Sequence, residues 1–281
     1  SEFGEGEGRH GAGPWECPDL LSLSAPDGTQ YWVMIVGIGS DAYGGGSGTQ
    51  YFIGQFDGHR FVNSNAPETV LWADCGRDYY AAQSFSGAPR PTTVAWASNW
   101  QYARKTPTRS FRGTFSLPRE LSIADTPDGV RLVQTIPSYV AGKFETITDG
   151  GVPQTGTYTF RVGLEGEAAI AISLFGEAEP HFVASRTATR WQLRTVRRDE
   201  RSVDANFAHD YTVDLPATIT HLDLFVDNGL VELRSSDGLV WLTNLHFHVD
   251  VAGVVGVQAV PADLFRSNAR SDLSQRRIGQ R

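Results

Sequence analysis

Short runs of β-branched and aromatic residues, each closed by a glycine-bearing turn, dominate the chain and leave room for little except β-structure. Pro26-Asp27-Gly28 leads into TQYWVMIVG (29–37). A loop with consecutive glycines (Gly44, Gly45, Gly46) leads into TQYFIGQF (49–56). Asp57-Gly58 then turns that run back through His59, Arg60, Phe61 and Val62 as a hairpin. Similar runs follow at 78–83, 94–100 and 114–121 and, after Asp128-Gly129, at 130–137, where Pro137 ends the last. Strands and turns recurring roughly every 8 to 12 residues predict a sandwich, a barrel or a propeller. No helical periodicity extends beyond about three turns. The expected fold class is all-β.

Composition narrows the partners. A chain of 281 residues suffices for one large or two modest domains. A net charge of -8 and a pI near 5.4 speak against nucleic acid and against an anionic membrane surface, and fit a neutral polar ligand such as a sugar. No apolar run is long enough to span a bilayer as a helix. The two cysteines, Cys17 and Cys75, are too few for a disulfide scaffold. The triple glycine lacks the following Lys-Ser/Thr of a phosphate-binding loop. The seven histidines lack zinc-site spacing. His246 and His248 lie two apart on a strand-like stretch but read as a surface pair, so no metal and no cofactor are expected.

The chemistry concentrates in GAGPWECPDL (11–20). Glu16 sits between the indole of Trp15 and the thiol of Cys17, beside the stiffening Pro18. A carboxyl held against an apolar wall loses hydration of its charged form and becomes a proton donor near neutral pH. The alternative is an ordinary glutamate at a strand end. Asp19 has two uses open to it, a backbone hydrogen bond or a ligand hydroxyl. In DYYAAQ (78–83), strand alternation puts Tyr79 and Tyr80 on opposite faces, so at most one faces a pocket.

WECPDL (15–20) resembles the acid/base signature of glycoside hydrolase family 32, the invertases, inulinases and levanases that cut β-fructofuranosyl bonds. GGSGTQYFIGQFDG (45–58), DYYAAQSF (78–85), WASNWQYA (96–103) and RGTFSLPREL (112–121) follow in that family's order and spacing. LFVDNGLVELRSSDG (224–238) matches more loosely. The resemblance selects the propeller, in its five-bladed form, for residues 1–142, which would be its last blades. It implies Glu16 as the acid/base, Tyr80 as the tyrosine touching that acid or the sugar, and Trp96 as a flat wall of the fructose pocket. Trp15, Cys17 and Asp19 would line the same pocket. Arg119-Glu120 reads as a structural ion pair.

The family's nucleophile motif (N-D-P-N-G-like) and stabiliser motif (R-D-P) occur nowhere in the 281 residues. Arg77-Asp78 is followed by Tyr79 rather than proline and is rejected as a substitute. The chain is therefore expected to be the C-terminal part of a larger enzyme, active only with the N-terminal part, which could be a separate chain.

Residues 143–281 are expected to form an antiparallel β-sandwich, after a turn-rich junction at 146–156 and with hairpins at Asp227-Asn228-Gly229 and Ser236-Asp237-Gly238. Asp227 and Glu232 read as solvated or structural, and the polar tail 266–281 as a mobile or docking segment. The expected function is fructan hydrolysis or fructosyl transfer in a secreted enzyme, with a fructan or fructo-oligosaccharide as substrate. A non-catalytic carbohydrate-binding β-protein, with Glu16 idle, is the alternative.

Overall fold

The structure, a computed structural model, describes residues 2–199, 201–248 and 253–261; the 266–281 tail expected above lies outside them. In chain order the first half gives β1 (Trp15–Ser24), β2 (Gln30–Ile38), β3 (Gly48–Phe56), β4 (Phe61–Asn63), β5 (Leu71–Trp72), β6 (Tyr80–Ser84), β7 (Thr92–Ala97), β8 (Thr114–Phe115), β9 (Arg119–Thr126) and β10 (Gly129–Thr135). After a four-residue helix α1 (Ser138–Ala141) come β11 (Glu145–Thr146), β12 (Thr157–Gly163), β13 (Ala169–Ser173), β14 (Phe182–Arg186), β15 (Arg190–Arg197), β16 (His209–Pro216), β17 (His221–Asp227), β18 (Leu230–Ser235), β19 (Trp241–Leu245) and β20 (Gly256–Ala259). The chain is all-β.

These strands form four five-stranded sheets. In the first, β1-β2-β3-β4 run in sequence order with β5 beside β3. In the second the order is β10-β9-β7-β6 with β8 beside β7. The third is β11-β12-β17-β18-β19 and the fourth β16-β15-β14-β13-β20. Every ladder is antiparallel except the two-residue β11–β12 pair. Local chemistry sets the hairpins. Asp57 Oδ1 accepts the amides of His59 and Arg60 at 2.7 Å each, closing β3 onto β4. Asn228 and Gly229, with φ of 48° and 101°, supply the left-handed pair that a tight β17–β18 turn requires.

Alternation along the strands builds the interior. Val33 and Ile35, Tyr51 and Ile53 from the first sheet share one buried cluster with Ala82, Ala95, Leu121 and Ile123 from the second. A larger cluster combines Phe160, Leu224 and Leu233 of the third sheet with Ile172, Trp191 and Leu215 of the fourth. Buried side chains of this size each stabilise by about 1.5–3 kcal/mol.

Two buried polar networks cross between the halves. Arg119, fully buried, donates to Asp74 (2.9 Å), Glu232 (2.5 Å) and the Thr243 hydroxyl (2.6 Å), and its guanidinium lies over the rings of Tyr79 and Trp241. Asp78 accepts from Arg197 and from the Tyr102 hydroxyl, both at 2.6 Å, and from the Leu245 amide at 2.9 Å. The sequence suggested a local Arg119–Glu120 pair. Instead successive strand residues point to opposite faces, so Arg119 turns inward while Glu120 meets Arg90 at the surface, 3.6 Å away. Glu232 is structural, and it also accepts the Leu117 amide at 2.6 Å. His246, read from sequence as half of a surface pair, is buried.

Candidate active site

Two β-bulges carry the site. The β1–β2 ladder pairs Trp15 with Ile38 and Glu16 with Gly37, then slips before Asp19 pairs with Ile35. The β6–β7 ladder pairs Tyr80 with Trp96 and slips before Gln83 pairs with Val94. The residue after each functional side chain, Cys17 and Ala81, has φ of 52°. Such left-handed backbone at a non-glycine costs about 1–3 kcal/mol and re-aims the neighbouring side chain. The bulges are tied together: Gln83 Nε2 donates to the Cys17 carbonyl (3.0 Å) and the Ser84 amide to Asp19 Oδ2 (2.6 Å).

The product of this arrangement is a hydrogen bond from the Tyr80 hydroxyl to the Glu16 carboxylate. Tyr80 is buried. Burial first, then the hydrogen bond to Glu16 and the charge of Glu16, push its phenol above the usual tyrosine range, so the hydroxyl stays protonated and keeps donating. The Tyr80 ring stands edge-on to Trp96 (6.3 Å) and Trp100 (6.5 Å), and those two indoles lie 4.8 Å apart. Trp100 is 52% exposed. A carboxylate oriented by a phenol beside a half-open indole corner offers proton transfer next to a surface suited to the C–H face of a sugar ring.

Gly37 makes the arrangement possible. A Cβ there would lie 2.9 Å from Tyr80 Cε2 and 3.3 Å from the Glu16 carbonyl. Gly37→Ala is expected to push the Tyr80 ring off Glu16, with a stability loss of about 1–3 kcal/mol. Thermal melts check this, and a variant that melts with the wild type would show that the strand takes up the extra methyl without strain.

Glu16, Tyr80 and Trp96, separated by up to 80 residues in the sequence, thus meet in space. Trp15 does not join them. As the strand neighbour of Glu16 it points to the other face, where its ring stacks on His10 (4.6 Å), approaches Phe52 (5.4 Å) and donates from Nε1 to the Arg9 carbonyl. The wall beside Glu16 is Tyr80 instead, and the carboxyl side chain is exposed rather than enclosed. Asp19 takes the backbone use, through Ser84. Cys17 is exposed and its thiol free; Cys75 is free and buried. Sequence reasoning gave Trp100 no role. The signal for its role was the second indole four residues after Trp96, on a segment that leaves the strand at Ala97. Asp78 and Arg77 serve the fold: Arg77 donates to the Gly44 carbonyl (2.7 Å), to Gln101 (2.5 Å) and to the Asn206 carbonyl (2.9 Å).

A bulge-borne carboxylate–tyrosine pair in an aromatic corner of an all-β chain is the arrangement that comparison with known proteins bears on. Residues 1–135 match the Glycosyl hydrolases family 32 N-terminal domain. A levanase of Bacillus subtilis (strain 168) is 51% identical over 142 residues, covering 48% of this chain and 21% of the levanase. An extracellular exo-inulinase of Aspergillus awamori is 29% identical over 312 aligned positions, covering 95% of this chain and 57% of that protein. The crystal structure of an exo-inulinase from Aspergillus awamori shares the fold, with a TM-score of 0.74 at 24% identity over 92% of this chain and 56% of that one. The chain thus spans little more than half the length of the exo-inulinase and about a fifth of the levanase.

Proposed function

We propose that these residues form part of a retaining β-fructofuranosidase that acts on fructan, levan or inulin, by hydrolysis or by fructosyl transfer, with Glu16 as its acid/base. The observation that carries this reading is the Tyr80–Glu16 hydrogen bond inside the aromatic corner, supported by the levanase and exo-inulinase relatives. A retaining mechanism needs two carboxyls about 5–5.5 Å apart. In this reading the nucleophile comes from outside the 281 residues, in an N-terminal part of the same enzyme. Residues 1–142 are then the last blades of a five-bladed propeller and 143–281 a β-sandwich. The extracellular relatives support secretion.

In the first step Glu16 protonates the leaving glycosidic oxygen while the nucleophile takes the anomeric carbon of fructose. In the second, the Glu16 carboxylate removes a proton from water, or from an acceptor fructosyl hydroxyl, as that oxygen displaces the nucleophile. Tyr80 holds the carboxylate in line in both steps. Trp96, with Trp100 beside it, presents a flat face to the sugar, and the exposed Cys17 borders the same carboxyl. The absence of both family carboxylate motifs from these residues favours a second reading of the chain taken alone: a non-catalytic carbohydrate-binding β-protein with Glu16 idle.

Incubating the 281-residue chain with levan, inulin and sucrose tests the shared site. No fructose release is expected. Release that disappears in Glu16→Gln would contradict the assignment of the nucleophile to another segment.

A further inference from the structure

A cluster outside the active site remains without a use. His181, His246 and His248 converge so that one ring nitrogen of each lies within 4.8 Å of the others. Glu177 reaches into the same cluster, with Oε1 2.6 Å from His248 Nδ1 and Oε2 3.5 Å from His181 Nε2. The sources are far apart in the chain: Glu177 and His181 lie on the β13–β14 connection, and His246 and His248 follow β19. Phe175 stacks on His248 at 4.1 Å, which gives the cluster an apolar side.

We propose that His246, His248 and Glu177 bind a divalent transition-metal ion, with His181 as the group that orients the carboxylate. The division of roles follows from proton positions. The Leu174 amide donates to His181 Nδ1 at 3.1 Å, so the proton of the neutral ring sits on Nε2. That nitrogen is buried and has no hydrogen-bond partner, a state that native proteins avoid unless the atom serves a purpose. Ligation through it would require expelling its proton. Donation to Glu177 Oε2 requires only a small approach, and hydrogen-bonded carboxylate ligands of this kind are the normal outer layer of metal sites.

The distances suit a site that tightens on binding. Nitrogen and oxygen ligands at about 2.0–2.2 Å in tetrahedral array stand about 3.3 Å from one another. The His248–Glu177 pair therefore opens by less than 1 Å on binding, roughly the difference from its present separation. Imidazole nitrogens with one carboxylate and no thiolate favour zinc, with cobalt(II) and nickel(II) as close substitutes. Arg198 donates to Glu177 Oε2 at 3.0 Å and also pairs with Glu179 at 2.8 Å. Its charge opposes a cation, so the ion draws on Glu177 Oε1, the oxygen away from Arg198. Bound there, a metal fastens the segment after β19 to the β13–β14 connection.

The test is zinc binding by the tag-free 281-residue chain, measured by calorimetry and by metal content after dialysis. One Zn2+ per chain is expected, with a rise in Tm of several degrees. Affinity should fall at least tenfold in Glu177→Gln, and the His246→Gln/His248→Gln double variant should lose the bound ion. A Co2+ titration of the wild-type chain gives a readout that needs no variant: visible d–d absorption of tetrahedral strength saturating at one equivalent. Zinc bound no more tightly by the wild type than by the double variant, an affinity indifferent to Glu177→Gln, or a Co2+ spectrum that stays octahedral would each overturn the site.

Discussion

Replacing Glu16 by glutamine in the complete enzyme is expected to lower turnover of a natural fructan by about 10²–10⁴-fold, the range that positioned proton transfer contributes. The amide has the same shape and accepts the Tyr80 hydroxyl through its carbonyl, so the bulge geometry that holds position 16 survives. It has no acidic proton to give to the leaving oxygen and no basic oxygen to take one back. The loss should therefore fall on kcat, with KM little changed, since the aromatic corner proposed to receive the sugar is intact. Initial-rate kinetics on levan and inulin, with circular dichroism to show an unaltered fold, measure this. A variant within a few-fold of wild type would leave Glu16 without a chemical task.

The second large effect concerns stability. Arg119→Met is expected to destabilise the protein by about 3–5 kcal/mol, because it strands two buried carboxylates in one step. Asp74 and Glu232 both direct an oxygen at this guanidinium, at 2.9 and 2.5 Å, and none of the three side chains is exposed. The planar cation lying over Tyr79 and Trp241 is lost as well. A fall in Tm of about 10 °C or more follows for a protein of this size. Neutralising the partners in the triple variant Arg119→Met, Asp74→Asn, Glu232→Gln should restore part of that loss, since the penalty lies mainly in the uncompensated charge. Thermal melts of both variants decide it. A single variant that melts within a degree or two of wild type would mean that water or rearrangement relieves these carboxylates.

The contrast between the two predictions tracks what could be read in the residues. Hairpins were legible wherever the turn chemistry is local: Asp57-Gly58 and Asn228-Gly229 fold their own flanking strands. Pairings that skip, such as β12 with β17 or β13 with β20, are set by burial across sheets and leave no mark on either strand alone. Glu16, Tyr80 and Trp96 were singled out because each sits in a compact motif, and the structure brings the three side by side. What places them together, two bulges with Cys17 and Ala81 at positive φ, was not recognisable, since neither residue type announces left-handed backbone. Trp15 was misread as a wall for its neighbour although strand alternation sends the two to opposite faces. The Arg119 network and the histidine cluster were hidden for a simpler reason. Glu232 is 113 positions from Arg119, and His181 is 65 from His246, so no local pattern links them.

Proton donation by Glu16 is tested most directly by changing how much the leaving group needs that proton. Glu16→Gln, in the complete enzyme, is compared with wild type on sucrose and on β-fructofuranosyl fluoride with azide added. Fluoride leaves without protonation, and azide attacks without a base. The account predicts a severe loss on sucrose and substantial recovery with the fluoride and azide, yielding fructosyl azide. Equal losses on both substrates would contradict it, and would assign position 16 to binding or folding rather than to proton transfer.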